Sequence, residues 1–244
     1  FVRYKHLDLQ HLEQLLKKYD GRRKLIISDT VFSMDGDLIN LPELLDLCDK
    51  HDAYLYIDDA HGFGVLGRNG KGTLEHYYPK LDFSPNLKKR IIYMFTLGKS
   101  VGVSGAIVLA SNQIIDYLIQ KAKTYIYTTA LSPALANGIL TSLKIILKDK
   151  ELRKKLQENI SFFRKTVKNK KLLGDSITPI QPIFINDTKK SIKLSKKLLE
   201  KGFYVPVIRP PTVPQNTARL RISISSLHEI QNVKELAELI NLNT

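Results

Sequence analysis

Apolar residues in this chain recur at two spacings, and the switch between them predicts the elements. Leu9, Leu12, Leu15 and Leu16 repeat at helical intervals and predict a helix from Leu9 to Tyr19. Lys24 to Ile27 is a short apolar run and predicts a strand. Ser33-Met34-Asp35-Gly36-Asp37 predicts a turn. Asn40 has Pro42 and Glu43 behind it, the pattern of a helix N-cap, and the helix it opens is expected to run to about His51. Strands are predicted at Ala53 to Ile57, Arg90 to Thr96 and Ser104 to Ala110, and helices at Ile114 to Ala122 and from Ser132-Pro133 to about Leu147. Strands alternating with helices imply an α/β fold, a mostly parallel sheet flanked by helices.

The texture changes near residue 148. Glu151 to Asn169 and Lys190 to Lys201 predict charged helices, the second stopped by Gly202 as its C-cap. Strands are predicted at Ile180 to Ile185, Phe203 to Ile208 and Ala218 to Ser223, with a closing helix from Val233 to Asn241. Residues 148–244 are therefore expected to form a smaller C-terminal α+β domain, and residues 1–147 to belong to a larger α/β one.

Composition narrows the class. The 244 residues are 43% hydrophobic and 25% charged, as in ordinary globular proteins. No apolar run reaches the length of a membrane span, and no charged-then-apolar leader opens the chain. The single cysteine, Cys48, allows no intrachain disulfide and falls among Leu44, Leu45 and Leu47, where it packs as a small hydrophobe. A cytoplasmic protein is expected. The formal net charge of +14 raises a nucleic-acid reading. Its lysines are spread in pairs such as Lys17-Lys18, Lys88-Lys89, Lys154-Lys155 and Lys170-Lys171, with no nucleic-acid-binding motif beside them. A solvated basic surface is expected, with neither nucleic acid nor membrane as partner. An acidic or phosphorylated substrate suits the charge better.

Candidate chemistry lies where polar residues follow predicted strands, because ligands of open α/β sheets bind beyond the strands' carboxyl ends. Asp58 ends one such strand. A carboxylate there needs a partner, and a protonated pyridine nitrogen is one. His61, three residues on, could meet the phenolic oxygen of the same ring. A turn-capping Asp58 with a satisfied core His61 stands beside that reading. A metal held by Asp58, Asp59 and His61 would lack the second spaced cluster of a zinc site. Lys99, in Thr96-Leu97-Gly98-Lys99, is a candidate Schiff-base lysine for pyridoxal 5′-phosphate, with Thr96, Gly102 and Gly105 near for a phosphate. A plain surface lysine is the alternative. Gly98-Lys99-Ser100 also looks like the tail of a phosphate-binding loop, but Tyr93 stands where that loop needs glycine.

Taken together, Val31-Phe32-Ser33-Met34-Asp35-Gly36-Asp37, Asp58-Asp59-Ala60-His61-Gly62 and Thr96-Leu97-Gly98-Lys99 resemble the α-oxoamine synthases, fold-type I pyridoxal phosphate enzymes. The resemblance continues in order through Tyr127 to Pro133, Arg209-Pro210-Pro211-Thr212-Val213-Pro214 and Thr217 to Ser223. It implies that residues 1–147 are the C-terminal part of the large cofactor domain. It implies that Lys99 binds pyridoxal 5′-phosphate and moves the substrate Cα proton. Asp58 would pair with the pyridine nitrogen, His61 and Ser33 would lie at the phenolic oxygen, and Thr96 would bind the phosphate. Thr128 and Thr129 would reach the phosphate of a neighbouring subunit in a homodimer. Arg221 would hold the amino-acid carboxylate and Thr212 line the acyl side.

The C-terminal motif and Gly102-Val103-Ser104-Gly105-Ala106 point to the member that joins L-alanine to a pimeloyl thioester of coenzyme A or acyl carrier protein. Glycine C-acetyltransferase, 5-aminolevulinate synthase and serine palmitoyltransferase rank behind it. A non-catalytic subunit or basic binding module is the alternative outside enzymes; the presence of Lys99 argues against the former. The family's N-terminal residues have no counterpart here, so this chain is expected to be a fragment, inactive alone. Tyr77 to Lys89 looks like a surface insertion and is assigned no role.

Overall fold

A computed structural model describes residues 1–82 and 84–244. Internal contacts divide them into two units, residues 1–31 with 39–148, and residues 32–38 with 149–244. The segment 32–38 thus groups with the second unit, not with the domain in which its sequence position had put it.

The first unit contains, in chain order, α1 (Leu9–Lys18), β1 (Lys24–Asp29), α2 (Leu41–Lys50), β2 (Ala53–Asp58), α3 (Thr73–Tyr77), α4 (Pro85–Arg90), β3 (Ile91–Thr96), β4 (Ala106–Leu109), α5 (Asn112–Lys121), α6 (Lys123–Ile126) and α7 (Pro133–Lys148). Its sheet has the order β1-β2-β3-β4. The first three strands are parallel, and β4 returns antiparallel along β3. Successive strand residues face opposite sides. Ile26, Leu55, Ile57, Ile91, Tyr93 and Phe95 are buried, whereas Leu25, Ile27 and Tyr54 are exposed. Leu44, Leu45 and Cys48 of α2 are also buried in this unit. The start of α2 is as the sequence predicts. Asn40 accepts a hydrogen bond from the Glu43 N–H and donates one to the Glu43 carboxylate at 2.9 Å, satisfying N-terminal donors that would otherwise be orphaned.

The second unit contains α8 (Glu151–Thr166), a 3₁₀ turn (Lys170–Leu172), β5 (Ile180–Phe184), α9 (Thr188–Glu200), β6 (Val207–Ile208), β7 (Arg219–Ser223) and α10 (Ile230–Asn243). Its antiparallel sheet has the order β5-β7-β6. Phe163, Ile183, Leu198, Leu220 and Ile240 are fully buried in it. The 32–38 turn is fastened to this unit at Gly36, whose carbonyl accepts from Thr178 Oγ1 at 3.1 Å. Gly36 has φ +71°, and a Cβ there would collide with Ser176 and Ile180, so only glycine suits the turn.

Several element ends differ from the sequence pattern for identifiable reasons. Helix α8 stops at Thr166 and not Asn169. Lys170 donates to the Arg164, Lys165 and Val167 carbonyls and caps the helix end. Of the strand expected over Phe203 to Ile208, only Val207–Ile208 pairs; Pro206 has no N–H to give a ladder. Lys201 is the C-cap of α9, and Gly202 follows it at φ +86°. The stretch Tyr77 to Lys89 holds the end of α3 and most of α4, with Ser84 capping the latter; Phe83 of this stretch lies outside the described residues. Among the described residues no helix is long and apolar enough to cross a membrane.

Candidate active site

The parallel strands of the first unit bring their carboxyl ends to one edge. Asp29 at the end of β1 pairs in register with Asp58 at the end of β2, and Asp58 with Met94 of β3. Polar residues leaving these three strands therefore emerge side by side. The turn after β2 carries His61, β3 ends at Thr96, and the loop after it carries Lys99. There Lys99 Nζ lies 2.8 Å from His61 Nε2.

Asp58 uses one carboxylate oxygen to accept from the Ala60 N–H at 2.9 Å. The other oxygen has no hydrogen-bond partner among the described residues. That atom fits a ligand cation or N–H. Neighbouring Asp29 has its carboxyl pKa raised, by burial first and by the Asp58 charge second, with Lys99 opposing. Burial and the same two carboxylates raise the Tyr56 phenol as well.

The Lys99 loop is shaped by backbone bonds. The Leu97 N–H donates to the Gly105 carbonyl at 2.9 Å, the Val103 N–H to the Leu97 carbonyl at 2.9 Å, and the Gly102 N–H to the Lys99 carbonyl at 3.1 Å. Thr96 Oγ1 accepts from the Gly98 N–H and donates to the Gly105 carbonyl, each at 3.3 Å. Ser100 Oγ donates to the Phe63 carbonyl at 2.7 Å, tying this loop to the His61 turn. Phe63 in turn stacks on Phe95 of β3 at 3.7 Å between ring centroids.

Asp59 points the other way from Asp58, as successive residues at a strand end do. Its carboxylate is fully buried and accepts from Thr30, Thr73 and Tyr93. Its lone pairs are committed to these donors, so the structure does not offer Asp59 as a metal ligand alongside Asp58 and His61. Tyr93 sits inside β3 with its hydroxyl on Asp59, at the position where a phosphate-binding loop would need glycine.

Thr128 and Thr129 follow α6 and are exposed. The Thr128 hydroxyl donates to the Thr124 carbonyl. Among the described residues neither threonine is hydrogen-bonded to Asp58 or Thr96.

Ser33, Thr212 and Arg221 belong to the second unit. Arg221 Nε–H donates to the Ser33 carbonyl at 2.6 Å, and its Nη1 donates to Ser223 Oγ at 2.9 Å. The guanidinium is thus aimed by two fixed acceptors, and burial lowers its pKa. Arg219, two residues earlier on β7, is used differently. It forms an ion pair with Asp35, donates through Nε to the Thr217 carbonyl at 2.9 Å and lies 4.6 Å above the Phe184 ring. Thr212 is exposed in the turn that its N–H closes onto the Arg209 carbonyl at 3.1 Å.

Sequence reasoning assigned no role to Asp29 or Thr73, and used Tyr93 only to argue against a phosphate-binding loop. Asp29 was hidden because the strand seemed to end at Ile27; the acidic residue just past an apolar run, in register with Asp58, was the available signal. Tyr93 and Thr73 carry no local signal, because they meet Asp59 only through the fold.

A parallel sheet with a lysine loop, an acidic strand end and a nearby histidine defines a class. The family model for aminotransferase class I and II matches residues 1–240, and the chain belongs to that family. Within it, the chain is 50% identical over 235 residues to the 8-amino-7-oxononanoate synthase of Nitrosospira multiformis, covering 96% of this chain and 58% of that protein. Its identity to the 8-amino-7-oxononanoate synthase of Methylobacillus flagellatus is 48% over 240 residues, covering 98% and 59%. The chain spans about 60% of the length of the curated relatives it matches. The solved 8-amino-7-oxononanoate synthase of Francisella tularensis superposes with a TM-score of 0.82 at 35% identity, over 99% of this chain and 68% of that one. An SPT structure with a PLP internal aldimine reaches 0.89 at 26% identity, over 99% and 60%.

Proposed function

We propose that this chain carries the lysine-bearing part of an 8-amino-7-oxononanoate synthase, a cytoplasmic homodimer that condenses L-alanine with a pimeloyl thioester in biotin biosynthesis. The observation that carries the reading is Lys99 Nζ 2.8 Å from His61 Nε2, with Asp58 ending the neighbouring strand, at the carboxyl edge of a parallel sheet. The identities to curated synthases support the choice within the family.

The donor set fits pyridoxal 5′-phosphate. Lys99 is an amine on a loop, the spare Asp58 oxygen suits a protonated pyridine nitrogen, and His61 suits a phenolic oxygen. The Thr96 hydroxyl at the end of β3 suits a phosphate. When bound, the cofactor supplies an electron sink for the pair left on a substrate Cα.

The residues then have these roles. Lys99 would hold the cofactor through Nζ and, with L-alanine bound, would take the alanine Cα proton. Asp58 keeps the pyridine nitrogen protonated. His61 orients the Lys99 amine and, with Ser33, meets the phenolic oxygen. Thr96 binds the phosphate, joined by Thr128 and Thr129 of a second copy. Arg221, its Nε fixed on Ser33, grips the alanine carboxylate with a planar fork. Thr212 lines the acyl side. The alanine Cα bonds to the thioester carbonyl, the thiol leaves, carbon dioxide is lost, and a proton returns to Cα.

Two surface features support the partners. Half of the 38 Lys and Arg but only 9 of the 24 Asp and Glu lie in residues 149–244. Such a basic surface favours encounter with an acidic carrier, coenzyme A or acyl carrier protein. Tyr117, Tyr125, Tyr127 and Leu140 are exposed on α5 to α7, and apolar surface of this kind suits a subunit interface.

A substrate panel tests the reaction. The full-length protein is given alanine, glycine or serine with pimeloyl, acetyl, succinyl or palmitoyl thioesters. Alanine with pimeloyl thioester is expected to turn over fastest, and a faster pairing of glycine or serine would move the assignment to another member.

A further inference from the structure

Asp59 takes no part in the steps above, yet it is the most heavily hydrogen-bonded carboxylate near them. It is fully buried, and a buried carboxylate is costly unless donors surround it. Four donors do so. The Thr73 N–H reaches Oδ2 at 2.8 Å, Thr73 Oγ1 reaches Oδ1 at 2.6 Å, the Tyr93 hydroxyl reaches Oδ2 at 2.5 Å, and the Thr30 hydroxyl also reaches Oδ1. These donors come from the end of β1, the start of α3 and the middle of β3.

The backbone of Asp59 is tied as firmly as its side chain. Its N–H donates to the Met94 carbonyl at 2.8 Å, and its carbonyl accepts from Gly62 and Phe63 at 3.1 and 3.0 Å. The Thr30 N–H also donates to the Asp58 carbonyl at 3.0 Å. Gly62 and Gly72 crowd the carboxylate so closely that a Cβ on either would run into it. The turn held in this way is the one that carries Asp58 and His61. It continues to Phe63, whose carbonyl receives Ser100, the residue after Lys99.

We propose that Asp59, through Thr30, Thr73 and Tyr93, is the positioning residue that keeps the Asp58–His61 turn in register with Lys99. The proposal rests on the reading of Lys99 as the cofactor lysine. Its physical basis is that small displacements of reacting groups are expensive, about a hundredfold in rate for 1 Å. Asparagine at this position would turn an NH₂ group toward donors and release part of the turn.

The test compares Asp59→Asn and the milder Tyr93→Phe with the parent in the full-length protein loaded with pyridoxal 5′-phosphate. Melting temperature, the absorbance of the lysine-bound cofactor titrated against pH, kcat and the KM for alanine are measured. In both variants the titration midpoint of the cofactor band is expected to shift. The kcat should fall at least tenfold in Asp59→Asn and about threefold in Tyr93→Phe, with the alanine KM within twofold. Unchanged titration curves and kcat beside a lowered melting temperature would make Asp59 a purely structural group and overturn the proposal. If Asp59→Asn does not fold, Tyr93→Phe decides by the same criteria. A parent that holds no cofactor on Lys99 would defeat the underlying reading before any variant is made, and the proposal with it.

Discussion

Arg219 and Arg221 stand two residues apart on β7, and the structure predicts opposite consequences of changing them. Arg219→Met removes one member of an ion pair in which the Arg219 side chain is 5% exposed and that of Asp35 29%. Breaking a fully buried pair costs about 3–5 kcal/mol, because a charge is left behind. Water at the partly exposed Asp35 recovers part of that, leaving about 2–3 kcal/mol by the same reasoning. The bond to the Thr217 carbonyl and the packing over Phe184 are lost as well, although methionine restores some packing. In a unit of this size each kcal/mol moves the melting midpoint by about 4–8 °C, so a fall of about 10 °C or more is expected. Arg221→Lys keeps the charge but loses the planar fork. Hydrogen bonds to charged groups are worth about 1.5–3 kcal/mol, so the alanine KM should rise about tenfold or more, while loss of the Ser33 bond should lower the midpoint by less than Arg219→Met does. Thermal melts and steady-state kinetics on the two variants measure both quantities. A stable Arg219→Met with impaired alanine binding, or an Arg221→Lys that unfolds early with normal KM, would refute the division of labour.

Two further predictions follow from the titratable groups. Burial pushes the Cys48 thiol up to about 12, so iodoacetamide at pH 8 should leave it unlabelled in the folded protein and label it fully in denaturant; rapid native labelling would place Cys48 outside the core. The raised carboxyl pKa of Asp29 means that the folded state binds its proton more tightly than the unfolded chain. Its contribution to stability is complete below the ordinary aspartate value of about 3.9 and declines as pH rises through the higher folded value. Asp29→Asn should therefore gain in melting temperature over the parent as pH is raised from 4 to 8, and a gain that grows toward acid would contradict the assignment.

The elements that sequence shows well here are those with local causes. Asn40, Pro42 and Glu43 announce α2 by capping chemistry, and the bond from Asn40 to Glu43 is the one expected. The apolar run of β2 ending at Asp58 and the run of β3 ending before Lys99 mark the sheet edge. What stayed hidden depends on distant partners. Lys170 ends α8 by turning back onto its carbonyls, an arrangement that the alternation of charge and apolar residues in Glu151 to Asn169 does not encode. Short α3 and α4 have too few residues for periodicity to register. Ala106–Leu109 looks in sequence like any other apolar strand, and its antiparallel pairing is set by the short connection through Gly102 and Gly105 rather than by its own residues. Among the candidate site residues, Asp58, His61 and Lys99 stand out in the sequence because each ends or follows an apolar strand. Ser33 and Arg221 were legible as motifs, but the Nε–H bond that fixes one on the other was not. The separation of Arg219 from Arg221 required seeing which guanidinium meets a carboxylate.

Every role proposed for this site depends on Lys99 holding pyridoxal 5′-phosphate. The most direct measurement is sodium borohydride reduction of the full-length protein with the cofactor, followed by peptide mass mapping. A single pyridoxyl-phosphate adduct on Lys99 is expected, lost together with the yellow absorbance in Lys99→Ala. An adduct on another lysine, or retention of colour and trapped cofactor in Lys99→Ala, would contradict it.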